Sequence, residues 1–361
     1  MTVSESSTFP DHDLSYCHDA VQDVSRTFAL TIDLLESPLA DQICVGYLLC
    51  RIADTIEDAA HIPSTVQTTL LGSYDAVLDP TDRTTVLDFQ AVVEPWLPRN
   101  TTDEMYSTAD WSVVANAPIV VATFETFDRR IQSAMLPSVR EMIRGMITFI
   151  ERYRDHEGLR IGTETELKRY CHYVAGTVGT LITNLLVHHD VSTTQERILT
   201  TNAEHFGRLL QFVNIAKDVH DDYIHENNVY LPQAWLTDEG VPQDALLADE
   251  NRQATARVVT RLTRCAKSYQ PPTRAYIEAM PLQGGNTIAA WAVPYLLAVG
   301  TLREIERNPI DTLTDTPVKL SREEVGAIVA TVTNRGHKAI SELQRTVSQT
   351  PYRQAISRTE E

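Results

Sequence analysis

Lysine is almost missing from this chain: 361 residues hold five, Lys168, Lys217, Lys267, Lys319 and Lys338, and none precedes position 168. With 31 lysines and arginines against 49 aspartates and glutamates, the formal charge is −18. Neutralising phosphates along a nucleic acid needs a basic face, so this balance excludes a nucleic-acid partner. Glycine is scarce too, at 14 residues, which removes collagen-like and glycine-patterned architectures. The cysteines, at 17, 44, 50, 171 and 265, are odd in number, spread out, and never paired as Cys-x-x-Cys. They make neither a disulfide framework nor a zinc ribbon, and a reducing, cytoplasmic compartment is expected. The opening residues, MTVSESSTFPDHD, are polar and acidic, without the apolar core of a signal peptide. A surface so acidic and so poor in lysine is suited to strong salt, which screens self-repulsion. We therefore expect a salt-adapted protein.

Long apolar runs are missing as well, with one stretch to weigh. Residues 279–302, AMPLQGGNTIAAWAVPYLLAVGTL, carry no charge, but Pro281, Gln283, Gly284, Gly285, Asn286 and Pro294 interrupt them. What is left falls short of the roughly 20 apolar residues a bilayer needs. The spacing predicts a buried core helix and no transmembrane anchor.

What the chain does have is helical periodicity, with no alternating strand pattern and no Asn-Gly or Asp-Gly hairpin signal between such patterns. Helices are expected over 14–34, 38–60, 64–78, 116–155, 163–189, 194–225, 250–269, 272–307 and 321–349. Loops are expected at 36–41, 97–104, 237–244 and 308–317, where proline, glycine and polar residues gather. None reads as a linker and no repeat is visible, so we expect one all-α catalytic domain over 1–361.

Two acidic runs lie inside otherwise apolar helices. In YLLCRIADTIED, Tyr47, Arg51, Asp54 and Asp58 recur at i, i+4, i+7 and i+11, with Glu57 beside them. In LLQFVNIAKDVHDDY, Gln211, Asn214, Asp218 and Asp222 do so at i, i+3, i+7 and i+11. Each set projects from one helix face. Either stripe alone is also what the solvent face of an amphipathic helix looks like. Two of them, each in a long apolar helix, and the second extended by Gln and Asn, point instead to a cavity or ligand, since buried polar groups otherwise cost free energy. Carboxylates at i, i+4 suit hard cations with oxygen ligands, above all Mg²⁺, with Mn²⁺ a second choice. Mg²⁺ is usually completed by waters and substrate phosphates, so facing motifs would hold a diphosphate and invert the local charge. Mg²⁺ on a diphosphate makes it a leaving group, and an allylic cation left behind survives where walls are apolar or aromatic and water is excluded. His220 and His225 flank the second run without a suitably spaced third ligand, and read as solvated histidines.

At these residues the sequence resembles the squalene and phytoene synthase family of head-to-head prenyl transferases. The likeness runs over about 14–307, with 308–361 as a C-terminal helical extension. It rests on SRTFALTI (25–32), DTIED (54–58), YCHYVAGTVG (170–179), NIAKDVHDDY (214–223) followed by VYLP, and AAWAVPYLLAVGTL (289–302). YCHYVAG and the late Ala-x-Pro helix lean toward squalene synthases. The resemblance implies an isoprenoid-synthase helical bundle around a central cavity and two farnesyl diphosphates as substrates. It also implies a cyclopropyl intermediate, presqualene diphosphate, whose rearranged cation is quenched by hydride from NADPH. It places Asp54, Asp58, Asp218 and Asp222 on Mg²⁺ and diphosphate, with Glu57 in support, and Tyr170 in proton removal or cation steering. Ser25, Arg26, Tyr47 and Arg51 are implied to grip diphosphate, with Gln211, Asn214 and Lys217 at the second site. Phe28, Val174, Val178 and Gly179 are implied as cavity wall, the small Gly leaving room for a prenyl chain. Cys171 and His172 read as packing residues.

Three departures from the family pattern stand out. Asn227 and Asn228 follow the second motif where a basic residue is usual. The expected flap at 100–118 has no Lys or Arg. The chain ends in the polar QTPYRQAISRTEE where eukaryotic squalene synthases continue into an apolar anchor. We expect a protein whose membrane contact is at most peripheral, for release of an apolar product. Non-reducing dehydrosqualene or phytoene synthases are the nearest alternative reading. A non-catalytic lipid-binding protein on the same scaffold is a third. No Gly-x-Gly-x-x-Gly follows a strand, so no separate nucleotide motif is expected.

Overall fold

The computed structural model describes residues 12–98, 108–156, 158–188, 191–282, 285–335 and 340–353, the side chains of His12, Asp13, Arg26, Thr27 and Thr108 lying outside that description. The all-α expectation holds among these residues: every regular element is helical, and the only β pairing is two isolated bridges, Leu35 with Gly285 and Arg160 with Val229. The α-helices are α1 (His12–Val24), α2 (Arg26–Ile32), α3 (Leu39–Glu57), α4 (Ser64–Val77), α5 (Val86–Val93), α6 (Thr108–Ala115), α7 (Ala117–Glu125), α8 (Arg129–Arg152), α9 (Glu164–Cys171), α10 (Thr177–Leu186), α11 (Thr193–Lys217), α12 (Val219–His225), α13 (Gln233–Asp238), α14 (Arg252–Ser268), α15 (Gln270–Glu278), α16 (Thr287–Arg307), α17 (Arg322–Arg335) and α18 (Ile340–Gln349).

Several expected helices are broken, each for a local reason. The 14–34 helix breaks at Ser25, whose extended backbone lets its Oγ accept the Phe28 N–H and start α2. The 116–155 helix breaks at Asp128, whose carboxylate accepts the N–H groups of Arg130 and Ile131 to open α8. A π-helical turn, His172–Gly176, interrupts 163–189. Asp218, with φ −104° and ψ 17°, ends α11 and begins α12 inside 194–225. Between α15 and α16 the described residues 279–282, with Pro281, and the left-handed Gly285 interrupt 272–307, and Asn286 caps α16. Of the expected flap, 100–107 lie outside the described residues, while 108–115 form α6 and 117–118 begin α7 after a turn at Asn116.

α3 and α11 are the inner helices. α3 packs on α6, α7, α8 and α10, and α11 on α10, α14, α15 and α16. The crossing of α11 with α10 and the π turn is tight. A Cβ on Gly179 would overlap the Ala203 carbonyl oxygen, and one on Gly207 that of Ala175. Gly179 does face the central chamber, but its missing side chain serves this backbone approach rather than leaving room for a ligand.

α16 is long and apolar enough to cross a membrane, yet 83% of its most apolar window is buried in the fold, as a core helix requires. The extension after it is fastened by Arg303. Its guanidinium donates to both oxygens of Glu324 on α17 at 2.8 and 3.0 Å, and to the carbonyls of Val347 and Thr350 at 2.8 and 2.9 Å. Both charged side chains are only 4% exposed, so each completes the other's hydrogen bonding.

Candidate active site

The last turns of α3 carry the first acidic motif. Arg51 donates from Nη1 to Asp54 Oδ2 at 2.6 Å and from Nε to Asp110 Oδ1 on α6 at 2.7 Å. Glu57 turns away from solvent, its oxygens 3.3 and 3.5 Å from the Tyr170 hydroxyl. Asp58 caps the helix, its N–H donating to the Asp54 carbonyl. One oxygen each from Asp54, Glu57 and Asp58 lies within 4.8 Å of the others.

The second motif spans the α11–α12 junction. Despite the break, Asp222 N–H donates to the Asp218 carbonyl at 2.9 Å, so the two carboxylates stay one turn apart. Lys217 Nζ sits 2.8 Å from Asp218 Oδ2. Beyond α12 the chain reverses at Asn227, whose φ of 55° is left-handed, a conformation asparagine tolerates better than most residues. Arg160 secures the turn by donating to the Asn227 carbonyl and side-chain oxygen. Buried Asn228 accepts from Leu159 N–H at 2.8 Å and donates to Glu226 and to the Tyr230 hydroxyl, each at 3.2 Å. The asparagines that replace a basic residue are thus structural. They carry a hydrogen-bonded line from Glu226 through Asn228 and Tyr230 to Tyr170, 3.2 Å from Tyr230, and so to Glu57.

The two motifs meet. Asp54, Asp58, Asp218 and Asp222 line one cavity of about 100 Å³, together with Glu226, Tyr170, Tyr230, Gln211 and Asn214. Val174, Gln211 and Asn214 also line the adjoining chamber, of about 620 Å³. That chamber receives Ser25, Phe28, Tyr47, Arg51, Val178, Gly179 and Lys217, and its far walls are Ile182, Phe206, Leu210, Trp291 and Leu297. Phe28 stacks on Tyr47 with ring centroids 4.1 Å apart, and Phe206 meets Trp291 edge-on at 5.8 Å. Of the expected site residues, Arg26 alone has its side chain outside the described residues. Glu57, Asp58 and Glu226 also border a second cleft of about 680 Å³.

So many carboxylates in one place hold protons tightly. Burial, reinforced by the Asp54 charge, lifts Glu57 to about 8. Burial also lifts Glu226 to about 7, with Asp54 and Asp218 adding to it. Burial and then the Glu226 charge push Asp58 and Asp222 well above the usual carboxylate range. Asp218 rises through burial too, against the opposing pull of Lys217 and Lys319. The charged groups are all carboxylates, joined by the Tyr170 and Tyr230 hydroxyls and the Gln211 and Asn214 amides, and among the described residues no imidazole or thiolate lines the cavity. Such a set fits a hard divalent cation such as Mg²⁺ or Mn²⁺ and not zinc. His220 pairs with its neighbour Asp221 at 3.1 Å, and His172 lies between Glu141 and Glu204 at the surface, apart from the cavity.

Sequence reasoning missed four participants. Glu226 follows Asp222 by four residues, in register with the Asp218–Asp222 stripe as the C-cap of α12, but lies beyond Tyr223, where the quoted motif stops. Tyr230 stood in the quoted VYLP without a role. Asp110 reaches Arg51 from 59 residues away. Lys319, from the segment before α17, lines the chamber with Val318 and Leu320, and only its being one of five lysines marked it.

A family model described as squalene/phytoene synthase matches residues 21–324. The chain belongs to that family. Among this family member's relatives is squalene synthase ERG9 of Candida albicans, 26% identical over 309 residues, covering 83% of this chain and 63% of the relative. The chain spans less than two thirds of the length of the curated relatives it matches first, 43% and 63%. Its fold is that of TcSQS, solved with the ligand BPH1237 (TM-score 0.77, 23% identity, 93% of this chain and 90% of that one). It also resembles a dehydrosqualene synthase solved with a ligand (TM-score 0.61, 20% identity, 89% and 95% covered).

Proposed function

We propose that the protein is a squalene synthase: it joins two farnesyl diphosphates head to head through presqualene diphosphate and reduces the product with NADPH. The observation that carries this reading is the convergence of both aspartate pairs on one small cavity opening into an apolar chamber. Asp54, Asp58, Asp218 and Asp222 would hold Mg²⁺, which when bound screens the diphosphate and makes it a better leaving group. Arg51 beside Asp54, and Lys217 and Lys319 acting on Asp218, supply positive charge next to the carboxylates, where the diphosphate would lie. Tyr170, its hydroxyl set between Glu57 and Tyr230, can pass the proton lost on carbon–carbon bond formation into the buried carboxylates. The apolar walls exclude water, and the rings of Phe28, Tyr47, Phe206 and Trp291 offer faces to a carbocation. NADPH, which would supply the hydride, needs no fold of its own if its phosphates share the lysines. We place the enzyme in the cytoplasm, touching a membrane to release its product.

Incubation with farnesyl diphosphate and Mg²⁺, with and without NADPH, followed by extraction, tests this. Squalene formed only with NADPH is the expected result. An unreduced C30 or C40 hydrocarbon regardless of nucleotide would assign the dehydrosqualene or phytoene chemistry instead. No turnover would leave a lipid-binding role.

A further inference from the structure

Arg51 is held from two sides, by carboxylates in different positions. Asp54 lines the acidic cavity and belongs to the trio of converging oxygens. Asp110 lines neither the cavity nor the chamber. It stands on α6, where Trp111, Val113 and Val114 are buried and the Tyr16 hydroxyl donates to the Ser112 carbonyl at 3.3 Å. α6 in turn packs on α1 and α3, so Asp110 is a fixed point.

A cation drawn to the trio competes with Arg51 for Asp54 but leaves Asp110 alone. With Asp54 as its sole anchor, the guanidinium would either lose its position when the metal enters or fold over the carboxylates and oppose the metal. An anchor behind it removes that conflict. Nε stays on Asp110 at 2.7 Å, and the donors released by Asp54 remain at the chamber wall.

We propose that Asp110 is a positioning residue that retains Arg51 as a diphosphate-binding group while Asp54 is given up to the metal. The ligand's identity, a diphosphate with a divalent cation, rests on the function proposed above.

The test is calorimetric binding of inorganic pyrophosphate in the presence of Mg²⁺, which involves no turnover. Asp110→Asn should weaken binding about tenfold and Asp110→Glu should recover most of it. In an Arg51→Met background, adding Asp110→Asn should change the dissociation constant by less than about twofold, because a residue that acts through Arg51 has nothing left to hold. Melting temperatures of all variants separate a positioning effect from loss of fold. Unchanged affinity in Asp110→Asn, or additive losses in the double variant, overturn the proposal and leave the functional reading standing. A wild-type protein that binds no pyrophosphate with Mg²⁺ overturns both.

Discussion

Glu57 makes the cost of assembling the acidic cluster measurable. Its side chain is buried, and burial followed by the Asp54 charge lifts its carboxyl from 4.5 to about 8. A carboxyl that binds its proton more tightly in the fold than in the unfolded chain stabilises the fold below the unfolded value, and that contribution is lost as the pH rises through the folded value. A rise of that size corresponds to about 5 kcal/mol between the ionised and protonated forms. Glu226 and Asp58 act on the same cluster and titrate together with Glu57, so a single substitution should recover about half, ~2 kcal/mol. Glu57→Gln removes the charge while keeping an oxygen for the Tyr170 hydroxyl. In metal-free buffer near pH 8.5 it should melt about 3 °C above wild type, given the small temperature shift per kcal/mol of a chain this long. The gain should vanish near pH 5, where the wild-type group is protonated in the fold. Mg²⁺ should stabilise wild type more than the variant. Scanning calorimetry in EDTA across this range is the assay. A variant no more stable than wild type at alkaline pH, or a difference that ignores pH, refutes the reasoning.

Asp54→Asn and Asp218→Asn should each lower turnover by about a thousandfold with no loss of melting temperature. Near-normal product formation in either would remove the aspartates from the chemistry. Gly207→Ala drives a methyl into the Ala175 carbonyl, and should cost at least about 2 kcal/mol in denaturant unfolding; wild-type stability would show that the crossing yields. The charge of −18 leads us to expect a melting temperature that climbs with KCl, and a protein most stable without salt contradicts the salt-adapted reading.

Local features were legible in the sequence, and long-range ones were not. The faces of α3 and α11 follow from the helical period, which places Asp54 with Asp58 and Gln211 with Asn214 without knowledge of the fold. The same period says nothing about who stands opposite. Asp110 and Lys319 reach the site across sequence separations that leave no local trace. Glu226 reaches it by the same period, one turn beyond Asp222 at the C-cap of α12, and could have been read from the sequence. Two helix breaks carry no mark in composition: a π turn enters HYVAG without proline, and Asp218 interrupts a helix while itself donating to the Asn214 carbonyl and accepting from the Asp222 N–H. The breaks at Ser25, Asp128 and Pro281 do carry cap or breaker residues, which the long helical period outweighed. Gly179 was assigned to the right surface for the wrong reason, since only the structure shows the carbonyl beneath it.

The Arg303–Glu324 ion pair ties the segment after α16 to the body of the fold. Val318 and Leu320 line the chamber, as does Val325 on α17, the helix that Arg303 holds through Glu324, so that segment is wall rather than tail. On the proposed function, removing the chain after Arg307 takes Val318, Lys319, Leu320 and Val325 from the chamber wall, and should give prenyl alcohols in place of hydrocarbon.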